Sequence, residues 1–456
     1  MLADVALLEI FESYVNEELS TRSKRMYHAW HTLVHVCRKW RNIVFGSPRR
    51  LNLRLYCRET TPVREMLDIW PPLPLMVSHC STILSMDNTF AALEHNDRIC
   101  YLNLSDFPSS HSEKVLATMQ QPFPALSSLE LEFGDETVPI DPASFLGGSA
   151  PRLKYLRLGR ISLPRLPKLL LTATHLAGLD LQKIPHSGYI SPEAMVTCLS
   201  MLTRLQSLVL RFESPRSRPD RNNRLPPPPT RTLLPVLTMF WFTGVSEYLE
   251  DLVARIDAPL LHDFCTVFFH QLIFDTPRLT RFISRTPEFM LKAHSNKALL
   301  AFSAKGVSVS FSPTFLRELG LTVSCKRLDW QLSSLAQVCS SFPPAFIPAV
   351  EHLHITRAYL KLPWSDDIEN SQLLELLHPF TGVKSLHISQ KFMSCIAPIL
   401  QELVGETVTE VFPALQTLFL DEPLPPGPDD WEEAIEKFVA ARQLAGCPIA
   451  VSRWER

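Results

Sequence analysis

A six-residue phrase, apolar-x-x-apolar-x-apolar, returns along this chain at nearly regular intervals. Between residues 99 and 210 it reads ICYLNL, LSSLEL, LKYLRL, LAGLDL and LQSLVL, with starts 27, 27, 23 and 29 residues apart. After a less regular middle, residues 233–345, it returns as VEHLHI, VKSLHI and LQTLFL, which start at residues 350, 383 and 415. Recurrence at this period predicts a solenoid, in which each repeat buries its apolar face against its neighbours.

The segments between the phrases have the apolar spacing of helices. HSEKVLATMQ (111–120) is one example, and SPEAMVTCLSML (191–202) is another, with Ser191 as a predicted N-cap and Pro192 at the first helical position. Each repeat is therefore predicted to be a strand followed by a helix. A doubly wound parallel sheet shows the same alternation and is the alternative, but the recurring phrase favours the solenoid.

The residues between the apolar positions of each phrase predict a binding face. Alternate side chains of a strand point to opposite faces of the sheet, so these residues share the exposed face. Their mixed charges and aromatic rings suit a protein or peptide ligand, although at each position a solvated strand face without a ligand is the alternative. The candidate target-binding residues are Tyr101, Asn103, Glu130, Tyr155, Arg157, Asp180, His352, His354, His387 and Phe419.

The N-terminal region has helical spacing instead. Residues 4–15, DVALLEIFESYV, predict a helix that is apolar on most sides and that must be covered by the repeats or by a second protein. Further along the chain, a stripe of apolar residues at helical spacing, which we expect to lie on one helix, ends at Gly46 and Pro48. An alternating apolar segment, residues 51–55, follows it. The stripe consists of Trp30, Leu33, Cys37, Trp40 and Val44.

LADVALLEIF followed by LVHVCRKWRNIV resembles an F-box, a short helical module with a leucine-rich helix and a final Val-Cys-x-x-Trp helix. Ala3 stands where that family normally has proline, and the loop NEELSTRSKR (16–25) is longer and more polar than usual. The resemblance implies that the module binds an adaptor protein through Leu2, Val5, Leu8, Ile10 and Phe11. It also implies that the module is packed by Val36, Cys37 and Trp40.

The whole chain resembles fungal F-box-like proteins with degenerate leucine-rich repeats, from FGSPRRLNLRL near its start to KFVAARQLAGCPIAVSRW near its end. The family's Asn or Cys after each phrase is absent here, where Phe107, Gly134 and Ile161 stand, so the repeats are irregular. The resemblance implies an α/β fold with an F-box-like helical domain at 1–47 and a leucine-rich-repeat-like solenoid at 48–456. Within the solenoid, residues 213–232 predict a disordered Pro/Arg-rich loop.

The function that this resemblance implies is substrate recognition in an SCF-type E3 ubiquitin ligase. A Skp1-like adaptor, and through it a cullin, would bind the F-box, and the solenoid would bind a protein target. The alternative is an interaction scaffold without a ligase role, in which the N-terminal helices only cap the solenoid.

Composition and motifs argue against other classes of function. The net charge of −2 provides no general field for nucleic acid or an anionic membrane. With only 14 glycines and no Gly-rich phosphate loop, nucleotide chemistry is not expected. The ten cysteines have no paired spacing, and His352 with His354 alone does not make a metal site. We therefore expect a non-enzymatic cytoplasmic or nuclear protein with no cofactor, metal, nucleic acid or membrane partner.

Overall fold

The chain divides into two compact units, Met1–Leu179 and Asp180–Arg456. The first unit contains the N-terminal helices together with the first repeats, and the predicted domain boundary at residue 47 stays a prediction. The computed structural model describes residues 3–20, 29–57, 63–80, 86–107, 112–133, 138–139, 145–162, 166–219, 230–271, 273–293, 296–311, 319–340, 342–344, 346–357, 370–403, 408–421 and 431–454.

The first unit begins with three helices and continues as alternating strands and helices. Its helices are α1 Asp4–Ser20, α2 Ala29–Val36, α3 Arg38–Gly46, α4 Val63–Ile69, α5 Met86–Leu93, α6 Ser112–Thr118 and α7 Leu166–Leu170, with a 3₁₀ turn at Phe145–Gly148. Its strands are β1 Leu55–Cys57, β2 Leu75–Cys80, β3 Ile99–Phe107, β4 Ser128–Phe133, β5 Val138–Pro139, β6 Tyr155–Gly159 and β7 Ile161–Ser162. Strands β1, β2, β3, β4 and β6 are consecutive parallel neighbours, while β5 pairs with β7.

The second unit begins within β8, Gly178–Ile184, and repeats the same alternation. Its helices are α8 Pro192–Leu199, α9 Ser246–Val253, α10 Pro277–Arg285, α11 Pro287–Ala293, α12 Leu328–Ser340, α13 Asn370–Leu377, α14 Gln390–Glu402 and α15 Trp431–Leu444, with a 3₁₀ turn at His186–Gly188. Its other strands are β9 Ser207–Phe212, β10 Thr232–Leu233, β11 Met239–Gly244, β12 Ile256–Asp257, β13 Asp263–Phe269, β14 Lys297–Ser303, β15 Gly306–Phe311, β16 Leu319–Ser324, β17 His352–Arg357, β18 Ser385–Ile388, β19 Thr417–Asp421 and β20 Ala450–Trp454.

One insertion interrupts the parallel order of the second unit. Strands β9, β11 and β13 are parallel neighbours, and β16 follows β13 in parallel. Strands β16, β15 and β14 then pair antiparallel, before β17, β18, β19 and β20 resume parallel pairing beside β14. The described strands therefore form a mixed, mostly parallel α/β arrangement of leucine-rich-repeat-like character, and the segment that looked irregular in sequence, 233–345, contains regular repeats as well as this insertion.

Burial confirms the predicted two faces of the phrase. Its apolar positions lie in the core, where burying each Leu contributes about 1.5–3 kcal/mol. The buried strand residues include Leu102, Leu104, Leu129, Leu131, Leu156, Leu158, Leu179, Leu181, Leu208, Leu210, Leu353, Ile355, Leu386, Ile388, Leu418 and Leu420. Most of them alternate with partly or fully exposed residues on the opposite face of the same strand, but Val209, between Leu208 and Leu210, is buried.

A repeated turn holds the register at the start of the strands. The N–H of the first apolar residue of a phrase donates to the carbonyl three residues earlier, as Leu126 does to Phe123 and Leu415 to Phe412. Equivalent turns end at Leu153, Leu176, Leu205, Leu237, Leu261, Val350 and Val383. Proline occupies the second position in several of them, where its fixed φ suits a β-turn.

Shared carbonyls then join one repeat to the next. The Ser127 carbonyl accepts from the N–H groups of both Lys154 and Tyr155, at 2.7 and 3.1 Å. Other carbonyls that accept two such bonds belong to Lys154, Gln206, Thr238, Asn296, Glu351 and Lys384. In these repeats, which lack the family's Asn or Cys, backbone N–H groups provide most of this part of the ladder, and the Thr238 hydroxyl also donates to the Gln206 carbonyl at 3.0 Å.

The N-terminal helices differ from the sequence prediction at two points. The stripe from Trp30 to Val44 does not lie on one helix, because Cys37 has extended backbone (φ −160°, ψ 168°) and separates α2 from α3. Cys37 is the N-cap of α3, and its sulfur accepts from the Trp40 N–H at 3.5 Å. Helix α1 continues to Ser20, so it also includes the first five residues of the predicted polar loop.

Other predicted boundaries agree with the structure. Helix α3 ends at Gly46, and α8 begins at Pro192 with the Ser191 hydroxyl accepting from the Ala194 N–H at 3.2 Å. Of the predicted disordered loop, residues 220–229 lie outside the described residues. In its first part the Glu213 N–H donates to the Ile184 carbonyl and Ser217 is buried, and the disorder of the loop stays a prediction.

Candidate interaction surfaces

The exposed side of α1 and α3 forms a shallow groove with a volume of about 620 Å³. Val5, with 65 % of its surface exposed, provides apolar surface at one side, and Ile43 provides it at the other. An ion pair of 2.8 Å between Asp4 and Lys39 crosses the groove margin. The lining residues are Asp4, Val5, Leu8, Arg38, Lys39, Asn42, Ile43, Gly46 and Ser47.

The structure divides the predicted adaptor-binding residues between surface and core. Val5 and Leu8 line the groove, whereas Phe11 is fully buried with its ring centroid 4.7 Å from that of Trp40. The prediction that Phe11 contacts an adaptor directly is therefore wrong: the α1 turn that carries it faces α3. Ile10 is 52 % exposed, but helix geometry places it about 140° around α1 from Val5, outside the groove. Leu2 lies outside the described residues.

The predicted packing residues likewise differ in their burial. Trp40 packs on Phe11 as predicted, but Val36 is 56 % exposed and Cys37 is exposed, so neither lies in the core of the helical module. Cys37 lies at the break between α2 and α3, outside both helices, and Val36 lies about 160° around α2 from the buried Val34. Trp30 packs instead, with its indole N–H donating to the Arg54 carbonyl at 3.2 Å.

The exposed face of β3, β4 and β6 carries a connected polar cluster. The Asn103 amide donates to Glu130 at 2.9 Å, and Arg157 lies 3.2 Å from Glu130 and 3.6 Å from Glu132. Register explains the contacts, since Asn103, Glu130 and Arg157 are direct neighbours on the three strands. The amide of Asn103 also lies 3.4 Å from the Tyr101 hydroxyl, so four predicted target-binding residues occur together.

Tyr155 forms the apolar part of the same face. Its side chain is 55 % exposed, and its ring lies over Gly178, where an added Cβ would be 2.8 Å from the ring. Glycine at this position is what leaves room for the flat ring. An exposed aromatic ring beside a charged cluster is a composition that protein interfaces favour.

The second unit has its own polar cluster on the exposed face of β8, β9, β11 and β13. Gln182 donates to Asp180 at 2.6 Å and accepts from Arg211 at 3.2 Å. The Arg211 guanidinium lies over the Trp241 ring at 5.5 Å, and the Trp241 indole N–H donates to Asp263 at 3.2 Å. Of these residues only Asp180 was predicted from the sequence. Trp241 and Asp263 lie at the same phrase positions as the predicted residues, so extending the repeat into the middle segment would have found them, whereas Gln182 and Arg211 lie just beyond the phrase on their strands.

Three predicted residues on β17, β18 and β19 form a ladder of stacked rings. The ring centroids of His354 and His387 are 4.1 Å apart with planes 5° apart, and those of His387 and Phe419 are 4.2 Å and 7° apart. Register again places them side by side. We name His354, His387 and Phe419 the ring ladder.

A row of hydrogen-bond donors lies beside the ring ladder on the same face. On β17, β18 and β19 its members lie two residues before the ring-ladder residues, about 7 Å along the strand. The register partner of His352 on β14 extends the row by one residue. We name this the donor row, and it consists of Lys297, His352, Ser385 and Thr417. The neighbouring carboxylate of Glu351 is bound by Lys384 at 2.5 Å and Asn296 at 3.1 Å, and these hydrogen bonds lower its pKa.

The central ring of the ladder is neutral at physiological pH. Burial lowers the pKa of His387 to about 4, with smaller contributions from the positive charges of His354, His352 and Lys297. The central imidazole of the ring ladder therefore presents an uncharged π surface beside a donor row that contains a lysine.

Among the described residues, no group of three or more His, Cys, Asp or Glu is placed to hold a metal ion. Burial raises the pKa of the Cys57 and Cys339 thiols to about 12 and that of Cys198 to about 11, which keeps these thiols protonated. No helix in the described part of the chain is both long and apolar enough to cross a membrane.

No known family model matches the chain, and no curated protein matches it. Among solved structures, it is similar to the leucine-rich repeat-containing protein LegL7 from Legionella pneumophila, at 15 % identity and a TM-score of 0.32, over 74 % of this chain and 97 % of that one. It is also similar to a chain of the TLR13–ssRNA13 complex, at 11 % identity and a TM-score of 0.30, over 80 % of this chain and 45 % of that one. These low values assign no function, and the fold description above rests on the strands and turns of the chain itself.

Proposed function

We propose that this protein is a substrate receptor of an SCF-type ubiquitin ligase. Its N-terminal helices bind a Skp1-like adaptor, which connects it to a cullin, and its exposed strand faces bind a protein target. The observation that carries the proposal is the groove between α1 and α3, where Val5, Leu8 and Ile43 present apolar surface in a three-helix module of F-box-like sequence.

The groove suits a protein partner for energetic reasons. Val5 is largely exposed, and covering an apolar side chain of this size contributes about 1.5–3 kcal/mol. Charged residues at its margin, among them Arg38 and Lys39, supply the polar rim that surrounds the apolar centre of many interfaces. The buried contact between Phe11 and Trp40 holds α1 against α3, so it supports the groove from behind.

The module is also attached firmly to the first repeats of its unit. Trp30 donates to the Arg54 carbonyl just before β1, and Arg50 forms an ion pair of 2.7 Å with Glu12 on α1. Leu51 and Leu53, in the connection itself, are buried. A receptor benefits from such a short, packed connection, because it limits the motion of the adaptor-binding helices relative to the strands nearest to them.

The test is a binding measurement with purified full-length chain and a Skp1-like adaptor, by calorimetry. We expect a micromolar or tighter complex with the wild type, and at least about tenfold weaker binding with Val5→Asp and with Ile43→Asp, because each places a charge in the apolar part of the groove. Ile10→Asp is the matched control: it introduces the same charge on an exposed position of the same helix, outside the groove, and should bind like the wild type.

The outcomes separate the candidates. No binding by a folded wild type would refute the receptor proposal and leave the interaction scaffold, in which α1 to α3 only cap the first repeats. Loss of binding in Ile10→Asp alone would refute the groove as the docking surface. Circular dichroism and thermal unfolding of each variant show whether a loss of adaptor binding is caused by misfolding.

A further inference from the structure

Two hydrogen-bond donors stand side by side at the start of β14 and β17. Lys297 and His352 are direct register neighbours on these parallel strands, which are about 4.8 Å apart. Lys297 is exposed and His352 is partly exposed, whereas the next residues along the two strands, Ala298 and Leu353, are buried in the core. Both donors therefore lie on the accessible face of the sheet, close enough for one small group to meet both.

The protein itself leaves these two donors available. Neither the Lys297 ammonium nor the His352 imidazole has a hydrogen-bond or ion-pair partner among the described residues. The carboxylate of Glu351, at the start of the same repeat, is bound by Lys384 and by Asn296 instead. A carboxylate from outside the chain could accept charge-assisted hydrogen bonds from both donors.

The charges around this place also favour an anion. After burial, which is the largest cause, the positive charges of His354, His352 and Lys297 lower the pKa of His387 on the neighbouring strand β18. The same positive field that opposes a proton on His387 attracts a negative group, and salt should weaken that attraction at the exposed Lys297.

A second register pair on the same face offers apolar contact. Leu299 and His354 lie two residues beyond Lys297 and His352, about 7 Å further along their strands, and both are partly exposed. The His354 ring is held in place by stacking on His387. In an extended peptide, residues two positions apart are also about 7 Å apart and point the same way. A peptide that lies along β14 and β17 can therefore place one side chain on each pair.

We propose that these two pairs bind an extended segment of the target in which a glutamate and an apolar residue are two positions apart. The carboxylate accepts hydrogen bonds from Lys297 and His352, and the apolar side chain packs on Leu299 and His354. All the contacts lie on the neighbouring strands β14 and β17. This inference rests on the target-binding half of the proposed function and is independent of adaptor binding.

The test uses three capped tripeptides and the full-length chain with ¹³C-labelled histidine imidazoles, observed by NMR. Acetyl-Glu-Ala-Leu-amide, the Glu peptide, has the charge and the spacing. Acetyl-Gln-Ala-Leu-amide, the Gln peptide, lacks the charge, and acetyl-Glu-Leu-Ala-amide, the reordered peptide, lacks the spacing.

We expect the Glu peptide to shift the His352 and His354 signals saturably, with a dissociation constant of about 3 mM or less. The Gln peptide should bind about fivefold more weakly, because it loses the charge-assisted hydrogen bonds. The reordered peptide should bind about threefold more weakly, since adjacent side chains of an extended peptide point to opposite sides. Raising sodium chloride from about 50 to about 500 mM should weaken binding of the Glu peptide and leave that of the Gln peptide unchanged.

Variants locate the binding. Lys297→Ala should weaken binding of the Glu peptide about fivefold and leave that of the Gln peptide unchanged. Lys305→Ala is the matched control: it removes the same charge from an exposed position in the turn beyond the other end of β14, and it should change neither. Leu299→Ala should weaken binding of both peptides, because it reduces the apolar contact.

The proposal is overturned if the Glu peptide causes no saturable shift, or if the Gln peptide or the reordered peptide binds equally well. It is also overturned if Lys297→Ala, shown to be folded by circular dichroism, binds the Glu peptide like the wild type, or if Lys305→Ala weakens binding as much. Lys297→Ala should bind the adaptor like the wild type, so failure of the peptide site and failure of the receptor proposal are distinguishable.

Discussion

The guanidinium of Arg442 donates a hydrogen bond to the carbonyl of Val408 at 3.1 Å, in a position where the arginine is fully buried. The same group donates to the carbonyls of Phe412 and Leu415, and its Nε donates to Cys447. Burial lowers the pKa of this arginine, yet its hydrogen bonds are satisfied by backbone oxygens. Arg442 thereby connects α15 to the turn that leads into β19.

Replacing Arg442 should loosen the last repeat. Arg442→Lys keeps the charge but cannot reach several carbonyls with one ammonium group, so buried acceptors lose their partners at a cost of about 1–3 kcal/mol each. We expect faster amide hydrogen exchange in α15 and β20 and a destabilisation of at least about 2 kcal/mol. Arg152→Lys, at an exposed position, is the control and should change stability by less than about 0.5 kcal/mol. Unchanged exchange in α15 would show that the buried bonds are not stabilising.

The exposed polar cluster of the first unit should contribute little to stability. Arg157 is 43 % exposed on its side chain, and ion pairs of this kind contribute about 0–1 kcal/mol. We expect Arg157→Ala to lower the free energy of unfolding by less than about 1 kcal/mol. Leu156→Ala, one residue earlier and facing the core, should cost about 2–5 kcal/mol. Urea denaturation compares the two variants, and a large loss with Arg157→Ala would assign the cluster a structural role.

The ring ladder predicts an unusual titration. Because burial and nearby positive charges oppose protonation, the imidazole of His387 should titrate by NMR with a midpoint of about 4 instead of the usual 6.5. The folded-state pKa is depressed, so the contribution of this residue to stability is present above about pH 6.5 and is lost as the pH falls through 4. Lys297→Ala removes one of the positive charges and should raise the midpoint. A midpoint near 6.5 in the wild type would contradict the packed, partly buried ladder.

The sequence predicts the strands well for a simple reason. In ICYLNL or LSSLEL the last two apolar residues are separated by one polar residue, and alternate side chains of a strand point to opposite faces, so the apolar face is the one that is buried. The helix that begins at Ser191 and Pro192 is likewise predictable, because capping depends on local residues. The repeated turn was also visible: Leu234-Pro235-Val236-Leu237 has the same pattern as Phe412-Pro413-Ala414-Leu415, and it shows that the repeats continue through the middle of the chain.

Other features of the structure could not be predicted from local sequence patterns. The extended backbone at Cys37 interrupts a stripe that continues smoothly in sequence, so Cys37 and Trp40 no longer share one helix with Trp30 and Leu33. The antiparallel insertion of β14, β15 and β16 depends on pairing between distant segments. Contacts such as Arg157 with Glu130 arise from the register of neighbouring strands, which a single repeat does not encode.

The glycine of one strand-starting turn provides the last prediction. Gly382 lies in the turn Phe380–Val383, and a Cβ on it would collide with the carbonyl of Pro348 in the equivalent turn of the preceding repeat. Because that contact is with backbone, the clash cannot be relieved by moving a side chain, and Gly382→Ala should cost about 1–3 kcal/mol or more. Gly46→Ala is the matched control, since a Cβ there meets nothing within 4 Å and alanine favours the helix that Gly46 ends. Thermal unfolding should show a lower midpoint for Gly382→Ala and an equal or higher one for Gly46→Ala. Equal midpoints for Gly382→Ala and the wild type would mean that successive turns are not packed as closely as the shared carbonyl ladder requires.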